Sequence, residues 1–170
     1  IREWGMEQYV RDARIAQIYE GTNGVQAMDL VGRKLPMENG DVARGFFALV
    51  RDDLSTTKGP AELETVKASV IEALARLEKL TEDLLAKGAD PVEAGASATD
   101  YLRFFALVSF GWLWVRMAEK ASADATTPLK QRKLALARFF AARLLPQTVS
   151  LDAAIRAGAA DIMALDANLF

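Results

Sequence analysis

The 170-residue sequence contains no cysteine and no histidine. The first absence excludes disulfides, thiolate nucleophiles and cysteine-based zinc sites, and no metal site is predicted. The second removes the side chain that most often serves as a general base. Any acid–base chemistry must therefore come from Asp, Glu, Lys or Tyr. The lack of cysteine also fits the bacterial cytoplasm, where we expect this protein.

The sequence also lacks a strong net charge and a long hydrophobic segment. The formal net charge is only −2, which argues against a broad nucleic-acid-binding surface. Residues 1–4 show neither the basic nor the apolar stretch of a signal peptide. The longest apolar run, residues 104–115, is too short to span a bilayer. We therefore expect no nucleic-acid partner and no membrane span.

The patterns that are present are helical. Strand-like alternation is nearly missing, and apolar residues recur at three- and four-residue spacing. We predict an all-α fold, a bundle of antiparallel helices. The helices are expected over residues 7–18, from 22 or 23 to Pro36, from Asp41 through Leu54, from Gly59-Pro60 to Gly88, from Asp90 through Val115, from Thr127-Pro128 to Pro146, and from about 149 to 165.

Two of these helices carry further signals. The fourth has a near-heptad apolar seam, formed by Leu63, Val66, Val70, Leu74, Leu77, Leu80 and Leu84. The fifth is apolar on most sides, so we expect it in the middle of a bundle or at a subunit interface. Asp41 is a predicted N-cap, and Asp90-Pro91-Val92-Glu93 resembles a capping box with an Asp cap.

The clearest linker follows Pro36. Residues 37–41 include Asn39-Gly40, a strong turn dipeptide. We therefore predict a division into residues 1–36, a linker over 37–41, and a second helical domain over 42–170.

The candidate catalytic and binding residues lie near the start of the chain. Glu20 lies at a glycine break between two predicted helices, close to a helix N-terminus that favours negative charge. The free N–H groups there, together with Thr22 and Asn23, could hold an anionic or polar ligand group. From spacing alone, however, an ordinary solvated carboxylate at a helix end is the better interpretation. Arg11, Asp12 and Arg14 fit a set of ion pairs on a helix surface.

The segment Tyr-Val-Arg-Asp-Ala-Arg-Ile-x-x-Ile-Tyr-Glu-Gly-Thr-Asn-x-x-Gln closely resembles the C-terminal signature of acyl-CoA dehydrogenases, and the match covers about residues 1–35. This resemblance implies a flavoprotein of fatty acid β-oxidation, in which a Glu removes the α-proton of an acyl-CoA while hydride passes from the β-carbon to N5 of FAD. Glu20 occupies the position of that base. Tyr19 and Gly21 match substrate-contacting positions, and Thr22 and Asn23 match flavin-contacting ones.

The resemblance also implies that this chain holds only part of a site. The family fold has an N-terminal helical domain, a middle β-domain and a C-terminal four-helix bundle, and residues 1–36 match only the end of that bundle. We therefore expect the isolated chain to bind FAD weakly or not at all and to lack dehydrogenase activity. Implied partners are the acyl-CoA substrate, an electron acceptor such as electron-transfer flavoprotein, and further copies in a homo-oligomer.

Residues 42–170 resemble the C-terminal extension of a larger subfamily, which includes 3-methylmercaptopropionyl-CoA dehydrogenase-like enzymes. Two alternatives remain open for the chain. One is a helical interaction or oligomerisation module with an inherited motif. The other is a standalone coiled coil, which fits the seam but neither the linker nor the first segment. One helix is basic through Lys130, Arg132, Lys133, Arg138 and Arg143, and we expect a solvated face there rather than an acidic partner.

Overall fold

The computed structural model describes residues 3, 5–18, 23–88, 90–123, 127–165 and 168. Within these ranges the regular structure is helical and contains no strand, which confirms the all-α prediction. The helices are α1 (Glu7–Ile18), α2 (Asn23–Asp29), α3 (Asp41–Thr56), α4 (Ala61–Ala86), α5 (Pro91–Ala123), α6 (Thr127–Arg143) and α7 (Gln147–Ala157). A π-helical stretch, Leu30–Lys34, continues α2, and a 3-10 turn, Met37–Gly40, precedes α3.

The central element is α5, which contacts α2, α3, α4, α6 and α7. Its inner side buries Tyr101, Phe104, Val108 and Val115 completely. Of the two positions predicted for this apolar helix, the middle of a bundle and a subunit interface, the structure shows the first. None of the described helices is long and apolar enough to cross a membrane.

The predicted seam of α4 packs against α5. Six of its seven side chains are buried: Leu63, Val66, Val70, Leu74, Leu77 and Leu80. Leu84 is half-buried. The two helices approach closely at Gly111, where an added Cβ would lie 3.0 Å from Val70 Cγ2. Glycine at this position therefore sets the depth of the α4–α5 contact.

Aromatic side chains join α3 to α5. The rings of Phe46 and Phe105 stack with their centroids 5.1 Å apart, and Phe47 packs beside them. At the polar edge of this cluster, the Trp112 indole Nε1–H donates to Asp53 Oδ2 at 2.5 Å. The cluster therefore combines apolar packing with one directed contact.

The N-cap prediction for α3 is wrong. Gly40 occupies that position with a φ of 90°, and no side chain caps the helix. Asp41 is instead the first helical residue, where its Oδ1 accepts a hydrogen bond from Arg44 Nη1 at 2.8 Å. A glycine fits because this left-handed backbone carries little steric cost without a Cβ.

The capping box predicted for α5 is only half formed. Asp90 Oδ1 accepts from the Val92 N–H at 2.9 Å, as an N-cap should. The Glu93 carboxylate does not turn back to the cap. It accepts from Lys87 Nζ at 2.8 Å and from the Ala159 N–H at 3.1 Å. Glu93 therefore ties the start of α5 to the segment after α7.

The last helix is shorter than predicted, since α7 ends at Ala157 rather than near residue 165. Gly158 follows with a φ of 71°, which stops the helix. Ile162, Met163 and Leu165 beyond it are exposed, so the apolar pattern there does not mark a buried helical face.

The predicted linker contains a tight turn in which Glu38 and Asn39 have φ values of 51° and 56°. On its N-terminal side, Ala27, Val31 and Leu35 are buried in the same apolar cluster as the residues of α3 to α7. The division into two domains stays a prediction.

Candidate functional site

The residues singled out by the sequence lie around the junction between α1 and α2. Tyr19, Glu20, Gly21 and Thr22 fall outside the described residues. Asn23 is described, begins α2 and is exposed. The roles of all five residues stay predictions. The motif is flanked by α1 before it and α2 after it.

The helix that leads into the junction, α1, has no buried residue. An apolar stripe of Met6, Tyr9, Val10, Ala13 and Ala16 runs along it at helical spacing. Tyr9 and Val10 are each 66% exposed. A contiguous apolar stripe in contact with solvent is a surface that another protein element can cover.

The polar side of α1 is held by local contacts. Arg11 forms an ion pair with Glu7, Asp12 accepts from Gln8 Nε2 at 2.7 Å, and Arg14 donates to Gln17 Oε1 at 2.8 Å. The predicted surface ion-pair set is thus confirmed for Arg11, whereas Asp12 and Arg14 bind glutamines. Such contacts between residues three or four apart stabilise a helix.

The segment that leads away from the junction is anchored in the bundle. Ala27, Val31 and Leu35 are buried, and both α2 and the π-helical stretch contact α5. On the outer side, the Asp29 carboxylate accepts from Arg33 Nε at 2.5 Å and pairs with Lys34. The hydrogen bond from Arg33 is the main reason that the pKa of Asp29 is lowered. Because Ala27, Val31 and Leu35 are buried and this segment contacts α5, the bundle fixes the position of the chain directly after the motif.

A cavity of about 250 Å³ lies between this segment and the turn that joins α4 to α5. It is lined mostly by apolar side chains, with a few polar ones at the turn: Met28, Val31, Gly32, Leu35, Pro36, Leu84, Leu85, Lys87, Gly88, Asp90, Pro91, Glu93 and Ala94. The sequence does not reveal this cavity, because its lining comes from separate segments that share no motif.

The one ion pair in the lining does not supply a base. Lys87, and secondarily the Ala159 N–H, lower the pKa of the Glu93 carboxyl. A lowered pKa makes a carboxylate a weaker base. Glu93 therefore has a structural role, since it joins the start of α5 to Lys87 and to the segment after α7. The described residues also contain no cluster of three or more acidic side chains that could hold a metal ion.

A protein-family model described as "Acetyl-CoA dehydrogenase C-terminal like" matches residues 46–166. The match begins inside α3 and therefore covers most of the bundle, outside the junction motif.

Curated relatives align over a larger part of the chain. A 3-methylmercaptopropionyl-CoA dehydrogenase of Ruegeria pomeroyi is 34% identical, over 85% of this chain and 26% of its own length. A broad-specificity linear acyl-CoA dehydrogenase of Mycobacterium tuberculosis is 30% identical, over 100% of this chain and 30% of its own. A butyryl-CoA dehydrogenase of Syntrophomonas wolfei is 26% identical, over 98% and 28%. The chain thus spans less than a third of the length of these relatives.

Proposed function

Because the chain belongs to the acyl-CoA dehydrogenase family, we propose that it is the C-terminal part of an FAD-dependent enzyme that oxidises an acyl-CoA. The observation that carries the proposal is the alignment of nearly the whole chain with enzymes of that activity. The Tyr-Glu-Gly-Thr-Asn motif at residues 19–23 adds a candidate for the catalytic base.

In the proposed reaction, Glu20 removes the α-proton of the thioester and the product is an α,β-unsaturated acyl-CoA. Bound FAD supplies the acceptor for the hydride that leaves the β-carbon. Removing a carboxylate from water raises its pKa and strengthens it as a base, which suits a weakly acidic α-carbon. Tyr19 and Gly21 are proposed to contact the substrate, and Thr22 and Asn23 the flavin. The exposed position of Asn23 at the start of α2 is compatible with that contact.

The same proposal assigns most of the site to sequence outside these 170 residues. The relatives are more than three times as long, since the chain spans at most 30% of them. The exposed stripe of α1 directly before the motif is consistent with a surface that the rest of such an enzyme covers. We further propose acyl-CoA as substrate, electron-transfer flavoprotein as acceptor, a homo-oligomer as the working form, and a cytoplasmic location.

Substitution of the base tests the proposed chemistry. In the full-length parent, Glu20→Gln should lower acyl-CoA turnover by about 100-fold or more, as loss of a general base does. FAD content should stay unchanged, because the proposed flavin contacts are made by other residues. Glu7→Gln is the matched control, since Glu7 is a carboxylate of α1 that pairs with Arg11. Full turnover by Glu20→Gln would assign the base to another residue.

A second test concerns the isolated chain. Titration with FAD, followed by flavin fluorescence, should show weak binding or none, and an acyl-CoA should not be oxidised. Tight FAD binding or turnover by the 170 residues alone would contradict the proposal that the site is incomplete.

The alternative function is a helical interaction module that carries the motif without using it. The exposed apolar stripe of α1, a surface that another protein element can cover, is the observation that favours it. The two functions differ in what must precede Ile1. A dehydrogenase parent encodes a β-domain and a Gly-Gly-x-Gly stretch there, whereas an interaction module requires neither.

A further inference from the structure

The cavity between the segment after the motif and the α4–α5 turn is large for a protein interior. Its volume is about 250 Å³, whereas ordinary cores contain few voids larger than a water molecule. In another protein, an apolar cavity of about 150 Å³ is enough to bind benzene. On that scale this cavity accommodates roughly ten non-hydrogen atoms of a ligand.

One wall of the cavity is apolar and belongs to the π-helical stretch and its flanks. Met28, Val31 and Leu35 lie along it. The Leu35 N–H donates to the Leu30 carbonyl, five residues earlier, at 2.8 Å. Single π-turns of this kind occur frequently at functional sites. Val31 and Leu35 also belong to the apolar core, so the bundle fixes this wall.

The other wall is formed by the end of α4, the turn and the start of α5. Leu84, Leu85 and Ala94 are its apolar part. Glu93 holds the turn in place through its contacts with Lys87 and with the segment after α7. Because both walls are held by contacts with other parts of the bundle, the cavity is pre-formed, as sites for small molecules usually are.

The charged groups in the lining disfavour a charged ligand. Asp90, Glu93 and Lys87 all lie on the second wall. Lys87 donates to Glu93 at 2.8 Å, and Asp90 accepts from the Val92 N–H at 2.9 Å. An anion would face both carboxylates, and a cation would compete with Lys87 for them. Either charge would also lose its hydration against the apolar lining.

An uncharged polar group has a partner on the same wall. The Lys87 ammonium has three N–H groups, and its hydrogen bond to Glu93 uses one of them. It can therefore donate to a hydroxyl or carbonyl oxygen of a ligand. The apolar body of that ligand would then lie between Val31 and Leu35 on one side and Leu84 and Leu85 on the other.

From these observations we propose that the cavity binds an uncharged amphiphile, with one hydroxyl or carbonyl group and an alkyl or aryl body, of up to about ten non-hydrogen atoms in total. The polar group lies at Lys87, and the body fills the apolar part of the cavity. The proposal does not rest on the dehydrogenase chemistry, because its readout is binding rather than turnover.

A series of straight-chain primary alcohols tests the size and the polarity of the site. Isothermal titration calorimetry on the full 170-residue chain should show an association constant that rises about fourfold per CH₂ from butanol to octanol. It should stop rising near decanol, where the alcohol outgrows the cavity. Octanoate and octylammonium should each bind roughly 10-fold more weakly than octanol, or worse, because they carry a charge.

Two variants test the location of the site. Ala94→Leu enlarges a side chain of the lining and should lower the affinity for octanol by about 10-fold or more, because it takes up part of the volume. Met28→Ala truncates a lining residue that is 41% exposed, and should lower the affinity about fourfold through lost apolar contact. The matched control is Ala86→Leu, at an exposed position of α4 outside the lining, which should bind octanol like the wild type. Circular dichroism should confirm that each variant keeps its helices.

Several results would overturn the proposal. They are absence of octanol binding up to its solubility limit, affinity that keeps rising beyond decanol as on an open apolar surface, and charged analogues that bind as tightly as octanol. An equal loss of affinity in Ala86→Leu would place the binding elsewhere. The full-length parent should bind octanol as the isolated chain does. Loss of binding in the parent would show that another part of the protein fills the cavity, which would also overturn the proposal.

Discussion

At the scale of single residues, the buried hydroxyl pair between α4 and α5 is the most specific polar contact in the core. Thr81 Oγ1 donates to the Leu77 carbonyl at 2.8 Å, so it accepts from the Tyr101 hydroxyl, 2.6 Å away. Burial raises the pKa of Tyr101, which keeps that hydroxyl protonated as a donor. The two ends of the contact are therefore not equivalent.

Removing either end should have different costs. Thr81→Val leaves the buried Tyr101 hydroxyl without an acceptor and should lower the free energy of unfolding by about 1–3 kcal/mol. Tyr101→Phe removes the donor itself and should cost about 1 kcal/mol. The double variant should be less destabilised than the sum of the two. Urea denaturation of all four proteins measures the coupling, and strict additivity would mean that the hydrogen bond contributes nothing.

Glu93 should make stability depend on pH. Lys87 holds its folded pKa below the ordinary 4.5, so the ionised form stabilises the fold above that value. This contribution is lost as the pH falls through the lower, folded pKa. Glu93→Gln should therefore be less stable than the wild type at neutral pH, and the difference should shrink below about pH 4. Urea midpoints across pH measure it.

Asp161→Asn is the control for this pH series, because Asp161 is exposed and forms no ion pair within the described ranges. Its stability difference from the wild type should be small at every pH. If the deficit of Glu93→Gln had the same size at acidic and neutral pH, the ion pair would not be its cause.

At the scale of elements, helix positions followed from the sequence more reliably than helix ends. The seam of α4 and the central position of α5 are properties of apolar periodicity, which summed over many residues gives a strong signal. The helix ends at Gly40 and Gly158 depend on a backbone conformation with a positive φ. The start of α5 depends on a contact of Glu93 with a distant segment. Glu93 illustrates this, because its partner Ala159 lies 66 residues away and the local pattern pointed to a capping box instead.

Two glycines of α5 should respond oppositely to alanine. At Gly95 an added Cβ meets nothing within 4 Å, so Gly95→Ala should raise the free energy of unfolding by about 0.5–1 kcal/mol. At Gly111 the methyl lies 3.0 Å from Val70 Cγ2, and overpacking of about 1–3 kcal/mol should exceed the helical gain. Thermal unfolding of the two variants measures the difference. An equal gain from both would show that α4 and α5 separate without cost.

At the scale of the whole molecule, the bundle could be predicted from the sequence, whereas the site could not be derived from physics alone. A carboxylate at a helix break is ordinarily solvated. Only the Tyr-Glu-Gly-Thr-Asn context therefore points to Glu20 as a catalytic base. In the chain, Glu20 lies between the exposed helix α1 and the helix α2, which is anchored in the bundle. In the proposed enzyme the remaining walls of the pocket are formed by sequence outside these 170 residues, so the pattern within them does not reveal the substrate.

The most direct test of the central claim follows the first half-reaction. The FAD-loaded full-length parent is mixed with an acyl-CoA without oxygen, and reduction of the flavin is followed by its absorbance in the wild type and in Glu20→Gln. With Glu20 as the base, reduction in the variant should be slower by about 100-fold or more while the substrate still binds. Reduction at the wild-type rate would contradict the assignment of Glu20 as the group that removes the α-proton.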